Sequence, residues 1–192
     1  MTTAENAAAE SSSPPWRADQ ARPEGDEALR GLAGAAEIKA LLDRARTIAV
    51  VGLSADPLRP SYFVATYLQA AGYTLYPVNP RYAGSEILGR PVVASLAEIP
   101  THIDIVDIFR KPADAPHIVD EAIAIGADAV WMQLTVINDE AARRARAAGL
   151  TVVMDRCLKV EHGRHKGQMR AMGFATGVVS SRRRTPRTDG RQ

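Results

Sequence analysis

The feature that most constrains this chain is a regular alternation between short apolar segments and segments with helical periodicity. The apolar segments cover residues 47–51, 73–78, 103–108, 129–132 and 151–154. Residues 35–46, 61–71, 112–125 and 138–148 carry apolar side chains at helical spacing, and residues 95–98 have the pattern of one helical turn. Strands so short and so uniformly apolar are typical of a sheet that is covered on both faces. The pattern therefore predicts an α/β fold, with a Rossmann-like, doubly wound, five-stranded parallel sheet in a single three-layer domain.

The two ends of the chain differ from this pattern in composition and charge. We expect a disordered leader over residues 1–34, the folded domain over 35–166, and a basic, disordered tail over 167–192. Residues 163–192 contain eight Lys or Arg and one Asp, a net charge of +7, so residues 1–162 carry −5 of the overall +2. An acidic body argues against specific nucleic-acid binding, because a nucleic-acid-binding domain would carry a basic face of its own.

Cysteine content and hydropathy exclude further classes of protein. The single cysteine, Cys157, excludes an intramolecular disulfide and a cysteine-cluster zinc site. The region near Met1 has no apolar stretch of signal-peptide length, and no run approaches the roughly 20 apolar residues of a membrane span. We therefore expect a cytoplasmic protein without a membrane partner, acting as a monomer or a homodimer.

Five loops are predicted to meet at one edge of the sheet, because right-handed crossovers bring the carboxyl ends of all parallel strands together. In chain order these loops read GLSADPLRPS, NPRY, FRKP, QLTVIN and DRC. Ligands of doubly wound folds bind at this edge, where the strand order reverses. We therefore place the candidate ligand site in these loops.

The loop after the first strand has the features of a phosphate-binding loop. Gly52 lets the backbone approach a phosphate, and a helix that begins near Ser61, with Pro60 at its entry, offers free N–H groups and a positive dipole. The hydroxyls of Ser54 and Ser61 and the guanidinium of Arg59 suit a pyrophosphate. The Gly-x-Gly-x-x-Gly spacing is absent. In the alternative interpretation Ser61 is only a helix cap, Arg59 a surface charge and Gly52 a turn residue.

The loop after the second strand reads Asn79-Pro80-Arg81, where NAD-binding folds carry an acid that holds the adenosine ribose. Asn79 can hydrogen-bond a ribose or a base edge without carrying charge, and Arg81 favours an additional phosphate on the ribose. NADP has such a phosphate, and so does coenzyme A, on its ribose 3′ oxygen. In the alternative interpretation residues 79–81 form only a turn.

Three long stretches carry a resemblance to a known family: "TIAVVGLSADPLRPSYFVATYLQAAGYTLYPVNP", "DIVDIFRKP" and "AIAIGADAVWMQLTVINDEAARRARAAGLTVVMDRCLKVEH". Over residues 37–162 the chain resembles the small CoA-binding domain proteins of bacteria. These are similar to the N-terminal CoA-binding domain of the succinyl-CoA synthetase α subunit. The resemblance implies a Rossmann-like CoA-binding fold whose cofactor site is lined by Gly52, Ser54, Arg59, Ser61, Asn79, Phe109 and Arg110. One departure is Thr135, where glycine is expected after "WMQL".

The residues and the resemblance together define a candidate cofactor-binding set. It comprises Gly52, Leu53, Ser54, Arg59, Pro60, Ser61, Asn79, Pro80, Arg81, Phe109, Arg110, Lys111, Met132 and Gln133. The predicted ligand is coenzyme A or an acyl-CoA, bound without catalysis by the chain itself. The alternative is an NADP-dependent oxidoreductase or another nucleotide-binding enzyme, although no Tyr-x-x-x-Lys or comparable pair lies on the relevant edge. A third hypothesis is a sensor that reports CoA to a protein partner.

The remaining reactive side chains give weaker signals. His162 and His165 have the spacing of a metal pair but lack nearby ligands, and His102 and His117 are expected at the surface, so we predict no metal site. Cys157 lies on the ligand edge near a possible helix N-terminus but belongs to no Cys–His–acid arrangement. We predict no catalytic residue, and we expect Cys157 to form at most a mixed disulfide with CoA under oxidation.

Overall fold

Five parallel strands and their covering helices account for most of the computed structural model, which describes residues 32–165. The strands are β1 (Thr47–Val51), β2 (Thr74–Val78), β3 (Glu86–Ile87), β4 (Arg90–Pro91), β5 (Ile105–Ile108), β6 (Ala129–Met132) and β7 (Thr151–Val153). The α-helices are α1 (Ala35–Arg44), α2 (Pro60–Ala70), α3 (Ala115–Ala124), α4 (Asp139–Ala147) and α5 (Leu158–His165). Short 3₁₀ helices cover Pro80–Tyr82, Leu96–Glu98 and Pro112–Asp114.

The main sheet has the order β2-β1-β5-β6-β7, and all its pairings are parallel. At its carboxyl edge Val51 is paired with Val78 on one side and with Ile108 on the other. The chain moves outwards from β1 to β2 and then crosses back to β5, so the strand order reverses between β1 and β5. The predicted α/β, Rossmann-like, five-stranded parallel sheet is confirmed.

The sheet is buried on both faces because helices cover each of them. Side chains that point to one face pack against α3 and α4, and those that point to the other face pack against α1, α2 and α5. Within β5 and β6 every residue is buried, which explains why these strands lack a polar alternation in the sequence.

The helix ends follow ordinary stop and start signals. Pro60 is the first residue of α2, where its missing N–H costs nothing. Asn138 caps α4 by accepting a hydrogen bond from the N–H of Ala141 at 2.8 Å. The helix that was predicted from residue 112 begins as a 3₁₀ turn and becomes α-helical only at Ala115.

Two elements were not predicted from the sequence. The hairpin β3–β4 turns through Leu88 and Gly89, which have φ values of 54° and 68°. Two successive positive φ values are those of a type I′ turn, in which a leucine is unusual. Helix α5 contains Gly163 and several charged residues, so it lacks a clear helical pattern.

The predicted leader lies outside the described residues except for residues 32–34, and the predicted tail lies outside them entirely. Between residues 32 and 165, none of the helices combines the length and the hydropathy that a membrane crossing requires.

Candidate functional site

The loops after β1, β2 and β5 meet at Gly52. This residue has a φ of 88°, and its N–H donates a hydrogen bond to the carbonyl of Val78 at 2.8 Å. A Cβ atom at this position would lie 2.7 Å from the carbonyl oxygen of Phe109 and 2.8 Å from Cδ of Arg110. Both the left-handed backbone and the close contact require glycine. The structure therefore brings three of the predicted loops together around one residue.

The β1–α2 loop is held by its own hydroxyl groups. The Oγ of Ser61, a buried residue, accepts a hydrogen bond from the N–H of Ser54 at 3.1 Å, and the Oγ of Ser54 accepts one from the N–H of Asp56 at 3.1 Å. Arg59 occupies the N-cap position of α2, and no side chain caps this helix. Ser61 therefore shapes the loop and does not cap the helix, which leaves the first turn of α2 open to an anion.

Asn79 joins the ends of β1 and β2. Its Nδ2 donates to the carbonyl of Leu53 at 2.9 Å, and its Oδ1 accepts from the N–H of Arg81 at 3.1 Å. Asn79 is buried, and the 3₁₀ turn Pro80–Tyr82 that it caps presents the exposed Arg81 at the edge. The amide thus has a structural role, and a ligand would reach only its remaining hydrogen-bonding capacity.

The four predicted cations of the edge differ in how they are paired. Arg110 donates to a carboxylate oxygen of Asp114 at 3.1 Å, and Nε of Arg59 lies 3.8 Å from a carboxylate oxygen of Asp56. Exposed Arg81 and Lys111 have no carboxylate partner among residues 32–165. These two cations are therefore the most available to an anionic ligand.

Four other predicted residues contribute less exposed groups. The side chains of Leu53 and Met132 are fully buried in the core, so a ligand would meet only their backbone. Phe109 is half-buried and packs against the core. Gln133 is 4% exposed, and its Nε2 donates to Oδ1 of Asp107 at 2.8 Å.

Asp107 is the residue of this region that the sequence analysis missed. It lies within β5 and is fully buried, and its Oδ2 has no hydrogen-bond partner. Burial raises the pKa of Asp107 to about 8, and the hydrogen bond from Gln133 opposes this increase. In the sequence Asp107 is one of two acids, with Asp104, inside the otherwise apolar segment 103–108, and only the structure distinguishes the buried one.

The loops after β6 and β7 contain two non-glycine residues in the left-handed region. Thr135 has a φ of 70° and Asp155 a φ of 55°, and the N–H of Thr135 donates to Oδ1 of Asp155 at 2.9 Å. A positive φ is unfavourable for a β-branched residue, which explains why glycine was expected at position 135. Cys157 is half-buried and directly precedes α5, so it lies next to a helix N-terminus, as predicted.

The histidines have structural surroundings. His162 is 3% exposed inside α5, and its Nδ1 lies 3.0 Å from the hydroxyl of Tyr67. Its ring also makes an edge contact with Tyr73, whose pKa is raised to about 12 by burial. His162 therefore anchors a helix of the domain.

His102 is exposed, as predicted, but it belongs to a cluster at the opposite, amino edge of the sheet. Its Nε2 lies 3.0 Å from Oδ1 of Asp128 and 3.8 Å from Oδ1 of Asp104. Burial alone would raise the pKa of Asp104, but hydrogen bonds from the N–H of Arg46 and from the N–H and hydroxyl of Thr47 lower it overall. An exposed ion pair accounts for this arrangement.

Comparison with known proteins identifies the family of this chain. Residues 46–163 match the CoA binding domain family, a range that includes all five strands of the main sheet and the loops at its carboxyl edge. The chain belongs to the CoA-binding domain family. The resemblance seen in the sequence is thereby confirmed.

Three known proteins are each similar to about two thirds of this chain. Uncharacterized protein YneT of Bacillus subtilis is 44% identical over 127 residues, which are 66% of this chain and 93% of YneT. A solved structure from Thermus thermophilus is 41% identical with a TM-score of 0.67, covering 69% of this chain and 99% of that one. A structure from Pyrococcus horikoshii is 41% identical with a TM-score of 0.68, covering 70% and 94%.

The first prediction concerns the junction at Gly52. Gly52→Ala should lower the free energy of unfolding by at least about 2 kcal/mol, because left-handed strain and overlap with the Phe109 carbonyl act together. Gly149→Ala is the matched control, since Gly149 also has a φ of 88° but no atom within 4 Å of the added Cβ. Gly149→Ala should lower the free energy of unfolding by only about 1–2 kcal/mol. Equal losses in urea unfolding would contradict the close contact.

The second prediction concerns the buried acid. The pKa of Asp107 is about 8 in the folded state, above its ordinary value of 3.8, so the folded state holds a proton that the unfolded state releases between these values. Stability supplied by that proton is lost as pH rises towards 8, at up to about 1.4 kcal/mol per pH unit.

Asp107→Asn should remove this loss, so that the variant gains stability relative to the wild type between pH 5 and pH 9. Chemical denaturation at the two pH values measures the difference, with Glu86→Gln as an exposed control. Parallel pH dependence of wild type and Asp107→Asn would show that Asp107 ionises normally.

Proposed function

We propose that this protein binds coenzyme A or an acyl-CoA at the carboxyl edge of its main sheet, and that it does so without catalysis of its own. The observation that carries the proposal is the junction at Gly52, where three loops meet beside the uncapped N-terminus of α2. Membership of the CoA-binding domain family supports the ligand class.

The pyrophosphate belongs at the N-terminus of α2. The first turn of this helix provides the N–H of Ser61 and the positive end of a dipole, and the β1–α2 loop contributes Arg59. Pro60 has no N–H, and the N–H of Tyr62 donates to the carbonyl of Arg59 at 3.1 Å. The 3.8 Å pair between Arg59 and Asp56 is exposed, so little free energy opposes the movement of Arg59 to a phosphate.

The ribose phosphate belongs beside Arg81. The end of β2 has an asparagine where NAD-binding folds have an acid, so it does not repel a phosphate. Arg81 is exposed and has no carboxylate partner among residues 32–165. These properties favour a nucleotide with a phosphorylated ribose over NAD.

The pantetheine arm belongs over β5 and β6. Beyond Gln133 the β6–α4 loop exposes two large apolar side chains, Leu134 at 57% and Ile137 at 45%. Apolar side chains beside the end of the arm suit the acyl group of a thioester, which supports acyl-CoA as well as free CoA as the ligand.

Binding without turnover is supported by the groups that these loops present. They supply cations, amides and hydroxyls, and within the described loops no nucleophile is hydrogen-bonded to a general base. Cys157 is half-buried and forms no disulfide among residues 32–165. Within these residues no hydrogen bond activates its thiol.

The third prediction tests the ligand. CoA at a hundredfold its dissociation constant should stabilise the protein by about 2.7 kcal/mol, a rise of several degrees in melting temperature. NAD should give no comparable shift. Differential scanning fluorimetry with CoA, acetyl-CoA, NADP and NAD makes the comparison. A larger shift with NADP than with CoA would favour the oxidoreductase alternative and overturn the proposal.

The fourth prediction tests the ribose phosphate. Arg81→Ala should weaken CoA by roughly ten- to a hundredfold, because a charge-assisted hydrogen bond to phosphate is lost, and it should hardly affect dephospho-CoA. Arg59→Ala is the matched control and should weaken both ligands alike, since both contain the pyrophosphate. Titration calorimetry gives the four affinities. Equal losses for both ligands in Arg81→Ala would place the ribose phosphate elsewhere, with Lys111 the next candidate.

A further inference from the structure

A buried carboxyl group lies directly beneath the proposed site. Asp107 is the third residue of β5, and its register partners in the neighbouring strands are Val50 and Trp131, both buried. Its Oδ1 accepts one hydrogen bond, from Nε2 of Gln133 at 2.8 Å, and its Oδ2 accepts or donates none. The side chain is thus fully enclosed, half-satisfied, and connected to the edge only through Gln133.

Such a residue is costly for the fold. A carboxyl group that is buried without full hydrogen bonding is less favourable than an apolar side chain of similar volume. The ionisable residues that are buried on this face of the sheet, or that pack against its core, are Tyr62, Tyr67, Tyr73, Tyr82, Cys157, Glu161 and His162. None of them hydrogen-bonds Asp107. Stability therefore gives no reason for an acid at this position, and its single contact with Gln133 is the feature to explain.

Gln133 connects the buried Asp107 to the carboxyl edge of the sheet. It follows the last residue of β6, its backbone is fixed by hydrogen bonds to Ile108 and from Val136, and it is 4% exposed. With Nε2 donated to Asp107, the orientation of the amide is set. Its Oε1 has no donor within residues 32–165, so it remains an acceptor at the carboxyl edge.

The distance across the sheet identifies the part of the ligand that would meet this acceptor. Neighbouring strands lie about 4.8 Å apart, so the end of β6 is roughly 14 Å from the end of β2, three strands away. With the ribose phosphate beside β2 and the pyrophosphate at α2, the ligand part above β6 is the pantetheine arm. That arm contains two amide N–H groups, which are donors for Oε1 of Gln133.

We propose that Asp107 is a positioning residue for coenzyme A, which orients the Gln133 carboxamide so that its Oε1 accepts a hydrogen bond from a pantetheine amide. The inference rests on the proposed function, because it requires CoA to be the ligand. It adds a recognition element for the arm to those for the nucleotide. It also gives the buried acid a purpose that stability does not.

The test compares CoA with 3′-phosphoadenosine 5′-diphosphate, which keeps the nucleotide and lacks the arm. Gln133→Met removes the amide at similar volume and should weaken CoA about tenfold, as loss of one buried hydrogen bond does, without changing the affinity for the nucleotide fragment. Asp107→Leu should have the same selective effect, because it leaves Gln133 without its partner. Asp107→Asn, which retains an acceptor for Nε2, should recover most of the affinity that the leucine variant loses.

Three comparisons separate this role from a structural one. Asp107→Leu should be at least as stable as the wild type at pH 9 and yet bind CoA more weakly, whereas a structural role would lower both. The double variant should bind CoA no more weakly than either single variant, because both remove the same hydrogen bond. If Asp107→Leu does not fold, the affinities of Gln133→Met for CoA and for the nucleotide fragment are sufficient to test the proposal.

Unchanged CoA affinity in Gln133→Met, or an equal loss for CoA and the nucleotide fragment, would overturn the inference while leaving CoA binding intact. Failure of the wild-type protein to bind CoA would instead overturn the proposed function.

Discussion

The approach of three backbone segments at Gly52 is the contact on which the rest of the candidate site depends. Its N–H bonds to the end of β2, and its Cα faces the carbonyl of Phe109 at the end of β5 so closely that no side chain fits between them. Because these loops are fixed together, the N-terminus of α2, Arg81 and Arg110 all lie around the point where the strand order reverses. Adding one methyl group at Gly52 would move these three features apart.

Much of the fold could be predicted because its local signals agree with its tertiary structure. The segments 47–51 and 129–132 became β1 and β6 with unchanged bounds, since uniformly apolar runs of this length form strands that are buried on both faces. The location of the candidate site was predicted from the carboxyl ends of the strands alone. Helix α5 did not follow, because Gly163 and its charged neighbours give no apolar period, and its burial depends on Tyr67 and Tyr73 far away in the chain.

The roles of individual site residues were harder to predict because their partners are distant in sequence. Asn79 was predicted as a ligand contact, and in the structure its amide joins Leu53 to the turn that presents Arg81. Ser61 was a possible cap, and it instead holds the loop through Ser54. In both cases the residue type correctly indicated hydrogen bonding, but the hydrogen-bond partner could be identified only from the fold. Asp107 went unnoticed because neither burial nor its bond to Gln133 is visible in the sequence.

Three unfavourable features of the structure lie near one edge. The buried Asp107, the left-handed Thr135 and the left-handed Asp155 all lie at or just below the carboxyl ends of β5, β6 and β7. Stability is commonly sacrificed where a site must hold a particular geometry, which fits an edge that receives a ligand. A crystal structure of the protein grown with coenzyme A tests the central claim most directly. The account predicts pyrophosphate at the N-terminus of α2 and pantetheine directed towards Gln133. Coenzyme A bound at the amino edge, or absent at saturating concentration, would contradict it.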